Sequence, residues 1–469
     1  MNSIRLKQNA LSLWETYGQA MAVTAPLGSV VSTTTAAVLY VGSAVPLATL
    51  LAFMASIVWL AVLTAYSKRI ASAGGFYSFA GFSYRRKWIS FFEAVTEVSA
   101  FVALNAADVF AVYLMLKVIE AMLSVRISLP LELLIASSAL WYPTAISLLN
   151  IKVVIGKFVS WSATAEVALL SAFFFYSALT HGFSLAPLSP SGVGSAGFLA
   201  AFLLSLTSIS GAGTSTYLGE ETSRPTRNVT AGMWLALVLG GIAMFLGSYA
   251  MVIDWGPNLH ALASSPQPLL QEMGKVPMVG GVLLLATFIL ALNSILSSNV
   301  GTTVAPARVL FNLARERAAP ANFLKLNRFF EPLTGTILVG IVSAGLAGGY
   351  LTLGVDAAFA QLSLLASFFW MLGRTVDALG VPLLYRRVGA KMGAFWIVTG
   401  LALVLSGVAV TSVLTPVDPL ALAGIAGFVL LTLALYLIYG RKGKPGSVYV
   451  DERGELKSWN DGDDDRRAK

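Results

Sequence analysis

Small and hydroxylated residues interrupt an apolar run between Phe198 and Met233. Four of them stand in the middle of the run: Ser208, Ser210, Gly211 and Gly213. Glycine is among the weakest helix formers, so a membrane-spanning helix is expected to lose its regular winding here. Main-chain groups freed in this way are tolerated at membrane depth only where they face protein or a watery cavity. The chemistry that this pattern predicts is noncovalent binding of a small solute in such a cavity.

A second interruption of the same kind lies near the start of the chain. Proline and glycine enter an apolar segment at Pro26 and Gly28, and both residue types weaken a helix. The two interruptions lie five spans apart, as in an inverted repeat whose broken helices meet at the membrane midplane. The alternative is that Pro26 and Gly28 only kink one helix, while the Gly/Ser cluster packs small faces together. The matched positions favour the cavity.

The overall composition is that of a polytopic membrane protein. Of 469 residues, 57% are hydrophobic and 12% are charged, and the mean hydropathy is +0.76, which is far outside the range of water-soluble folds. The formal net charge of +8 comes from basic residues in short loops between apolar runs. Such residues orient a membrane protein, so a nucleic-acid partner is not expected. The chain has no cysteine, which excludes disulfides and thiolate metal sites.

Apolar segments of about 20 residues predict an all-α fold with about twelve transmembrane helices. The predicted divisions are a cytoplasmic N-terminal segment (1–19), a first inverted repeat of spans 1 to 5 (20–182), a second repeat of spans 6 to 10 (183–390), spans 11 and 12 (391–440) and a cytoplasmic tail (441–469). Among the 31 Lys and Arg residues, Lys117, Arg126 and Lys275 fall in loops on one side, and Arg374 lies within a span. All the others fall on the opposite side, which predicts that both termini are cytoplasmic.

Two segments near the cytoplasmic face are interpreted from their composition. The stretch from Arg308 to Phe330 has basic and apolar residues interleaved at helical spacing, which predicts a helix lying along the inner leaflet. From Arg441 onward the chain is mixed in charge and lacks apolar periodicity. This composition predicts a disordered tail.

Three stretches of the chain resemble the amino acid–polyamine–organocation permeases, and the resemblance extends over nearly the whole length. The first is SGAG followed by YLGEETSRPTRNVTAGM, which resembles the sixth span of the family and its exit. The others run from Ala73 to Tyr77, before the third span, and from Ala307 to Pro320, at the exit of the eighth. Two positions depart from the family pattern. The first span carries PLGSVV in place of Gly-Ser-Gly, and Ala212 stands where many members have an aromatic ring. The resemblance therefore does not identify which substrate side chain the pocket accepts.

The resemblance implies a 5+5 inverted-repeat (LeuT-like) fold with broken first and sixth helices and an amino acid bound between the breaks. N–H groups near Gly28, Ser29 and Val30 would receive the carboxylate at the positive end of a half-helix dipole. Carbonyl groups freed in both helices would accept hydrogen bonds from the ammonium group. The expected substrate-binding residues are Ala22, Val23, Gly28, Ser29, Val30, Ser208, Ser210, Gly211, Ala212 and Gly213.

Glu166 stands near the middle of the fifth span, where a carboxylate is costly unless it is paired, hydrated or protonated. The corresponding region carries a lysine in some proton-coupled members of the family that the chain resembles. We therefore predict that Glu166 carries the coupled proton. The alternative is a packing role, in which Glu166 bonds a polar side chain of the eighth span: Ser297, Ser298 or Asn299. Sodium is a third option, because a carboxylate with hydroxyl groups can also hold that ion.

Further charged residues are expected inside the membrane. Glu93 and Glu97 lie one turn apart in the third span, and Arg374 and Asp377 lie three residues apart in the tenth. These four residues either form an ion-pair latch at an inner gate or neutralise each other between packed helices. Asp108, also in the third span, either meets a cationic substrate or caps a polar helix contact.

The predicted function is secondary active import of an amino acid across the cytoplasmic membrane by alternating access, as a proton symporter. The alternative substrate is a polyamine or another organic cation or organic acid, and an organic cation is favoured if Asp108 or Glu166 faces the cavity. An enzyme is not expected, because His181 and His260 are isolated and no cysteine is present. A receptor or channel is the alternative from a different class. The expected partners are the substrate, protons or sodium, and membrane lipid, with no cofactor and no metal.

Overall fold

The computed structural model describes residues 5–190, 193–256, 261–262, 265, 267–413, 419–451 and 454–459. Most of these residues lie in helices. His260 and residues 460–469 lie outside the described ranges.

Helices follow one another through the first half of the chain. The first begins ahead of the predicted boundary at residue 20, with a capping box in which the Glu15 carboxylate accepts the Ser12 N–H at 2.7 Å. The α-helices are α1 (Leu13–Thr24), α2 (Pro26–Ser29), α3 (Thr35–Val41), α4 (Val45–Ser67), α5 (Phe76–Tyr84), α6 (Lys87–Leu123), α7 (Leu129–Ile146), α8 (Ile151–Val153) and α9 (Ser160–His181). The π-helical turns are Val30–Thr34 and Val154–Val159, and the 3₁₀ turns are Gly42–Ala44 and Ala186–Leu188.

The second half of the chain has a similar series and ends in a small hairpin. The α-helices are α10 (Ser195–Ile209), α11 (Pro225–Trp255), α12 (Pro268–Lys275), α13 (Gly280–Arg315), α14 (Leu333–Tyr350), α15 (Val355–Arg387), α16 (Phe395–Val413) and α17 (Pro419–Ile438). The 3₁₀ segments are Ser210–Leu218, Ala321–Leu324, Leu351–Leu353 and Gly440–Lys442. Strands β1 (Val448–Val450) and β2 (Leu456–Ser458) pair antiparallel.

The two halves repeat the same order of helices. Each half opens with an interrupted helix, which is α1 to α3 in the first half and α10 with its 3₁₀ continuation in the second. Each half later has a long helix followed by one of 18 residues: α6, with 37 residues, precedes α7, and α13, with 36 residues, precedes α14. This order is that of the predicted 5+5 repeat.

Ten stretches of the described chain are long and apolar enough to cross a membrane. The first of them, Leu13–Ser67, contains two spans of the prediction, because α4 follows α3 across a single short turn. Phe395–Val408 is a shorter apolar helix. The multi-pass architecture is confirmed, whereas the number of twelve spans stays a prediction.

The prediction of a separate interfacial helix from Arg308 is wrong. Helix α13 continues through this position to Arg315, and a loop with one 3₁₀ turn follows. Arg308 is only 1% exposed and pairs with Glu221 at 2.6 Å and with Glu331 at 2.8 Å. Its charge is thus neutralised by buried carboxylates of two other segments, whereas an interfacial helix would present it to lipid headgroups.

Both ends of the described chain lie at the same end of the helix bundle, which we term the terminal end. The N–H of Leu6 donates to Glu220 at 3.3 Å, and Glu220 also pairs with Arg315 at 2.7 Å. The neighbouring Glu221 pairs with Arg308. The exits of the sixth and eighth spans, two of the three stretches that carry the family resemblance, are therefore joined by two ion pairs.

The prediction of a disordered tail is wrong for the described part of the tail. The N–H of Val450 donates to the carbonyl of Ala71 at 2.6 Å. The carboxylate of Glu316, directly after α13, accepts the N–H groups of Gly446 and Val448, both at 2.8 Å. Contacts with distant segments hold the hairpin, and the composition of the tail by itself does not reveal such contacts.

We expect the C-terminal hairpin to dock more tightly as the pH falls from about 8 to about 5. Burial raises the pKa of Glu316 from its ordinary value to about 7, although the N–H groups of Gly446 and Val448 act in the opposite direction. The docked state therefore binds more protons than the undocked state, so the extra stability is lost as the pH rises through about 7. Amide exchange at Gly446 and Val448, corrected for the intrinsic rate, measures docking. Equal protection at both pH values, or the same pH dependence in Glu316→Gln, would contradict this.

Candidate functional site

The first membrane helix is broken at one residue. Ala25 ends α1 in the left-handed region, with φ 41° and ψ 66°, which is uncommon for a residue with a side chain. Pro26 then occupies the first position of α2, where its missing N–H costs no hydrogen bond. The predicted break near Pro26 and Gly28 is therefore confirmed.

Side chains of two other helices bind the N–H groups freed at the start of α2. The Leu27 N–H donates to the Glu166 carboxylate at 3.2 Å, and the Gly28 N–H donates to the Ser294 hydroxyl at 2.9 Å. Ser294 in turn donates to Glu166 at 2.6 Å. Glu166 thus sits at the positive end of a half-helix and bonds the eighth span at Ser294, one turn before the expected Ser298.

The N–H groups that were expected to receive a substrate carboxylate have acceptors within the protein. Besides Gly28, the Ser29 N–H donates to the Ala25 carbonyl at 2.7 Å. The Val30 N–H donates to carbonyls of the preceding α2 residues. A substrate carboxylate at this point would have to displace Ser294 or compete with Glu166.

The sixth membrane helix changes winding at Ser210, where α10 passes into nine residues of 3₁₀ helix. A 3₁₀ run of this length is uncommon and is associated with strain or a hinge. The Ser210 carbonyl accepts a hydrogen bond from Arg374 at 2.9 Å, and the Gly211 carbonyl accepts one from Thr214 at 2.8 Å. The predicted second break is confirmed, and the Ser210 carbonyl expected to receive an ammonium group already accepts one hydrogen bond, from Arg374.

The two breaks touch through Gly211. A Cβ atom at this position would lie 2.6 Å from the Thr24 nitrogen and 2.7 Å from the Val23 oxygen. Side chains do not approach a backbone this closely, so only glycine lets the helices meet here. Gly211 therefore sets the separation of the two broken helices.

A cavity of about 30 Å³ lies beside the first break. This volume is enough for one or two water molecules, so a larger solute has to widen it. Hydroxyl-bearing side chains make up much of its wall. The lining residues are Val23, Ala25, Gly28, Ser29, Ser32, Thr33, Leu104, Asp108, Thr207, Ser208, Ile295, Ser298, Ser363, Ser367 and Trp370.

Asp108 contributes the carboxylate in this wall. Its side chain is 6% exposed and forms no hydrogen bond or ion pair with any other described residue. The adjacent polar residue, Asn105, bonds Thr302 and Thr303 of α13 instead. Asp108 therefore does not cap a polar helix contact, and its carboxyl group lines the cavity.

The structure brings some of the predicted residues to the cavity and leaves others outside it. Those in the wall are Val23, Gly28, Ser29, Asp108, Ser208 and Ser298. Those outside the wall are Ala22, Val30, Glu166, Ser210, Gly211, Ala212, Gly213 and Ser297. Sequence reasoning missed Ser363, Ser367 and Trp370, although hydroxyl groups at four-residue spacing in the tenth span were a signal for a polar helix face.

Arg374 lies beside the second break and next to Trp370 of the cavity wall, without forming the predicted ion pair. Its guanidinium lies 4.7 Å from the centre of the Phe76 ring and 5.5 Å from that of Trp370, in cation–π contact with both. No Asp or Glu among the described residues lies within salt-bridge distance of it. The Tyr217 hydroxyl donates to Glu97 at 2.7 Å.

Comparisons with known proteins agree with this architecture. A family model described as "Amino acid permease" matches residues 11–439. The structure of MhsT in complex with L-phenylalanine is similar with a TM-score of 0.58 and 15% identity, over 88% of this chain and 100% of that one. The Eremococcus coleocola manganese transporter in complex with an aromatic bis-isothiourea substituted compound is similar with a TM-score of 0.53 and 12% identity, over 93% and 97% of the two chains. These identities show a shared fold alone. No curated protein matches the sequence.

We expect Gly211→Ala to lower solute uptake at least about tenfold, which corresponds to about 1.4 kcal/mol, because the new Cβ would force α1 away from the 3₁₀ segment. Gly211→Leu should abolish uptake, and both variants should still insert into the membrane. The matched control is Gly348→Ala in α14, whose added Cβ would meet nothing within 4 Å. Uptake per molecule of membrane-inserted protein is the measurement. Unchanged uptake by Gly211→Leu would contradict the assigned contact between the breaks.

Proposed function

The chain belongs to the amino acid permease family and is a secondary transporter, and from that premise we propose that it carries a small solute with a positively charged amine. An amino acid is the first candidate, imported across the cell membrane together with protons. The solute binds in the cavity beside the two helix breaks, and alternating access opens that cavity to one side of the membrane and then to the other.

The observation that carries this proposal is the position of Asp108. A buried carboxylate without a partner is costly, and an ammonium group would supply both the opposite charge and N–H donors. The hydroxyl groups of Ser29, Thr33 and Ser208 lie in the same wall and can orient the rest of the solute. Trp370 lines the same cavity.

Metal cargo is less well supported by the described residues. Among them, no three His, Asp or Glu side chains are grouped as a metal ion would require. A hard divalent cation prefers several oxygen ligands, usually with more than one carboxylate. The wall with Asp108 and neutral hydroxyl groups suits an organic ammonium ion better.

A polyamine or other organic cation is the second candidate, and a specific observation favours it. The N–H groups of Leu27 and Gly28, which would attract a substrate carboxylate, are bonded to Glu166 and Ser294. No Lys or Arg side chain lines the described cavity. An amino acid would therefore place its carboxylate against hydroxyl groups, or displace Ser294, whereas a simple amine would need neither contact.

Glu166 supports proton coupling through its contact with the broken helix. It is 1% exposed and holds both the Leu27 N–H and the Ser294 hydroxyl. Protonation would remove the charge that the start of α2 attracts, and would weaken the link between the first and eighth spans. We propose that this change allows α2 to move. Sodium remains the alternative coupling ion, since a carboxylate and a hydroxyl group are also ligands for that cation.

The distribution of Lys and Arg supports a cytoplasmic location for the terminal end. Arg315, Arg317 and Lys325 follow the eighth span on that side, whereas Lys117 and Lys275 lie at the other end. We propose that the cavity opens to the cytoplasm when the contacts at the terminal end separate.

Asp108→Asn is expected to lower the affinity for an amine at least about tenfold, because the neutral amide no longer offers a charge-assisted hydrogen bond, worth about 1.5–3 kcal/mol. Thermal-shift titration of the purified protein with amino acids, the matching decarboxylated amines and the matching deaminated acids is the measurement. The amino acid or the amine should stabilise the protein, and the acid should not. The matched control is Asp356→Asn, which changes an exposed aspartate. The amine site would be refuted if the deaminated acid bound as tightly as the amine. It would also be refuted if Asp108→Asn bound every ligand with wild-type affinity.

Glu166→Gln is expected to abolish accumulation driven by a pH gradient while substrate exchange continues, because glutamine can donate and accept hydrogen bonds but cannot bind a proton. Uptake into proteoliposomes with imposed pH or sodium gradients measures this. Glu120→Gln, whose carboxylate pairs with Lys117 near the far end of α6, is the control. If Glu166→Gln accumulated substrate to the wild-type level under a pH gradient, the proton role of Glu166 would be excluded. If accumulation by the wild-type protein depended on the sodium gradient alone, sodium would be the coupling ion.

A further inference from the structure

Three buried carboxyl groups and one guanidinium lie where α6 passes α15 in the half of the bundle nearest the terminal end. Glu93 and Asp377 are completely buried, Glu97 is 5% exposed and Arg374 is 2% exposed. Asp108, at the cavity, lies further along the same helix α6. The role of these four groups is not explained by the cavity chemistry.

Most oxygen atoms of the three carboxyl groups have no hydrogen-bond partner among the described residues. Both oxygens of Glu93, both of Asp377 and one of Glu97 are buried and unpartnered. The guanidinium of Arg374 does not meet them, because it donates to the Ser210 carbonyl and stacks on rings. No direct ion pair therefore forms among these four described residues, and Arg374 compensates the carboxyl groups only at longer range.

The two helices bring Glu93 and Asp377 to the same place. Glu93 and Glu97 lie one turn apart on α6, and Gly373 and Asp377 lie one turn apart on α15. A Cβ on Gly373 would be 3.9 Å from a carboxylate oxygen of Glu93 and 3.9 Å from a methyl group of Thr96. The Glu93 carboxyl group thus lies against α15 within a turn of Asp377, in a region without access to water.

The tyrosine hydroxyls around the cluster donate elsewhere or to Glu97. The Tyr66 hydroxyl donates to the main-chain carbonyl of Asp377 at 2.8 Å, and the Tyr84 hydroxyl donates to that of Val376 at 2.9 Å. Tyr217 donates to Glu97. The titratable and charged groups that face Glu93 and Asp377 are Tyr66 from α4, Tyr84 from α5, Glu97 from α6, Tyr217 from the 3₁₀ segment and Arg374 from α15.

Electrostatics requires the cluster to hold additional positive charge. If all three carboxyl groups were ionised, two negative charges would remain beside the single guanidinium in a medium of low dielectric constant. Each such charge costs several kcal/mol after relaxation. A bound proton removes a charge and also turns one unpartnered oxygen into a donor for another.

We propose that Glu93 and Asp377 form a proton-binding site, and that loss of its protons opens the terminal end of the transporter. The second half of this statement rests on the proposed function. Ionised carboxylates need water or a cation, so deprotonation favours separation of α6 from α15. The ionised carboxylates would also attract Arg374 away from the Ser210 carbonyl. Loss of that hydrogen bond would release the 3₁₀ segment Ser210–Leu218. The site differs from Glu166, which contacts the first break.

The aromatic residues next to the cluster connect it to the cavity. The Phe101 ring lies 5.6 Å from that of Tyr217 and 4.9 Å from that of Trp370, in edge contact with both. Tyr217 is bonded to Glu97, and Trp370 lines the cavity. Separation of α6 from α15 at the cluster would therefore disturb Trp370 in the cavity wall.

The absence of cysteine in the chain makes opening measurable without altering other positions. Thr96 is completely buried beside Glu93. The variant Thr96→Cys is reconstituted in proteoliposomes, and a membrane-impermeant maleimide is added on the side of the terminal end. We expect the labelling rate to rise with pH on that side, by up to about tenfold per pH unit for each proton released. Lys68→Cys, at an exposed position near the same end, corrects for intrinsic thiol reactivity.

The same measurement in Thr96→Cys combined with Glu93→Gln and Asp377→Asn should show slow labelling without pH dependence. Glu120→Gln, which lies at the far end of α6, in place of these two changes should leave the pH dependence intact. A corrected rate that is independent of pH, or that keeps its pH dependence in the combined variant, would overturn the proposal. Labelling that follows sodium or potassium at constant pH would also overturn it and assign a metal cation to the site.

Infrared spectroscopy of the unaltered protein keeps the proposal falsifiable if the combined variant does not fold. A protonated carboxyl band should be present at neutral pH, disappear as the pH is raised and weaken in Glu93→Gln alone. Absence of that band would refute the site. Neither readout requires a substrate, so a failure of the amine assignment at Asp108 would leave both results unchanged.

Discussion

Main-chain groups inside the helix bundle must find partners within the protein, because no bulk water reaches them. A membrane helix can therefore be broken only where other helices supply those hydrogen-bond partners. Glu166 accepts a hydrogen bond from the Leu27 N–H after the first break, and Arg374 donates one to the Ser210 carbonyl at the second. Both are charged side chains on unbroken helices. Two long-range hydrogen bonds thus satisfy main-chain groups at the two breaks beside the cavity.

The buried carboxylates of the protein differ in whether a cation or a hydrogen-bond donor compensates them. Glu221 forms two hydrogen bonds with Arg308, at 2.6 and 3.0 Å, so its charge is compensated and it joins the ends of two helices. Asp108 and Glu93 have no such partner among the described residues. Unpaired buried charge destabilises a fold, and for this reason we propose that a ligand supplies the missing charge: an amine at Asp108 and a proton at Glu93.

Two helices connect the proposed substrate site with the proposed proton site. Helix α6 carries both Asp108 and Glu93, and helix α15 carries Trp370 in the cavity wall and Arg374 one turn later. A relative movement of these two helices changes both sites at once, because packed helices shift as units. This arrangement would let proton occupancy at the terminal end influence access to the cavity without direct contact between proton and solute.

Local composition was sufficient to predict the membrane helices and both of their breaks, since hydropathy, Pro26 and the Gly/Ser cluster act through neighbouring residues. It also identified Glu166 as a carboxylate that needs a partner. Only the tertiary structure decided that the partner is Ser294, one turn from the expected serines, because the axial register of two packed helices depends on every other contact in the bundle. For the same reason it decided that Asp108 faces the cavity and that the C-terminal segment folds onto Glu316.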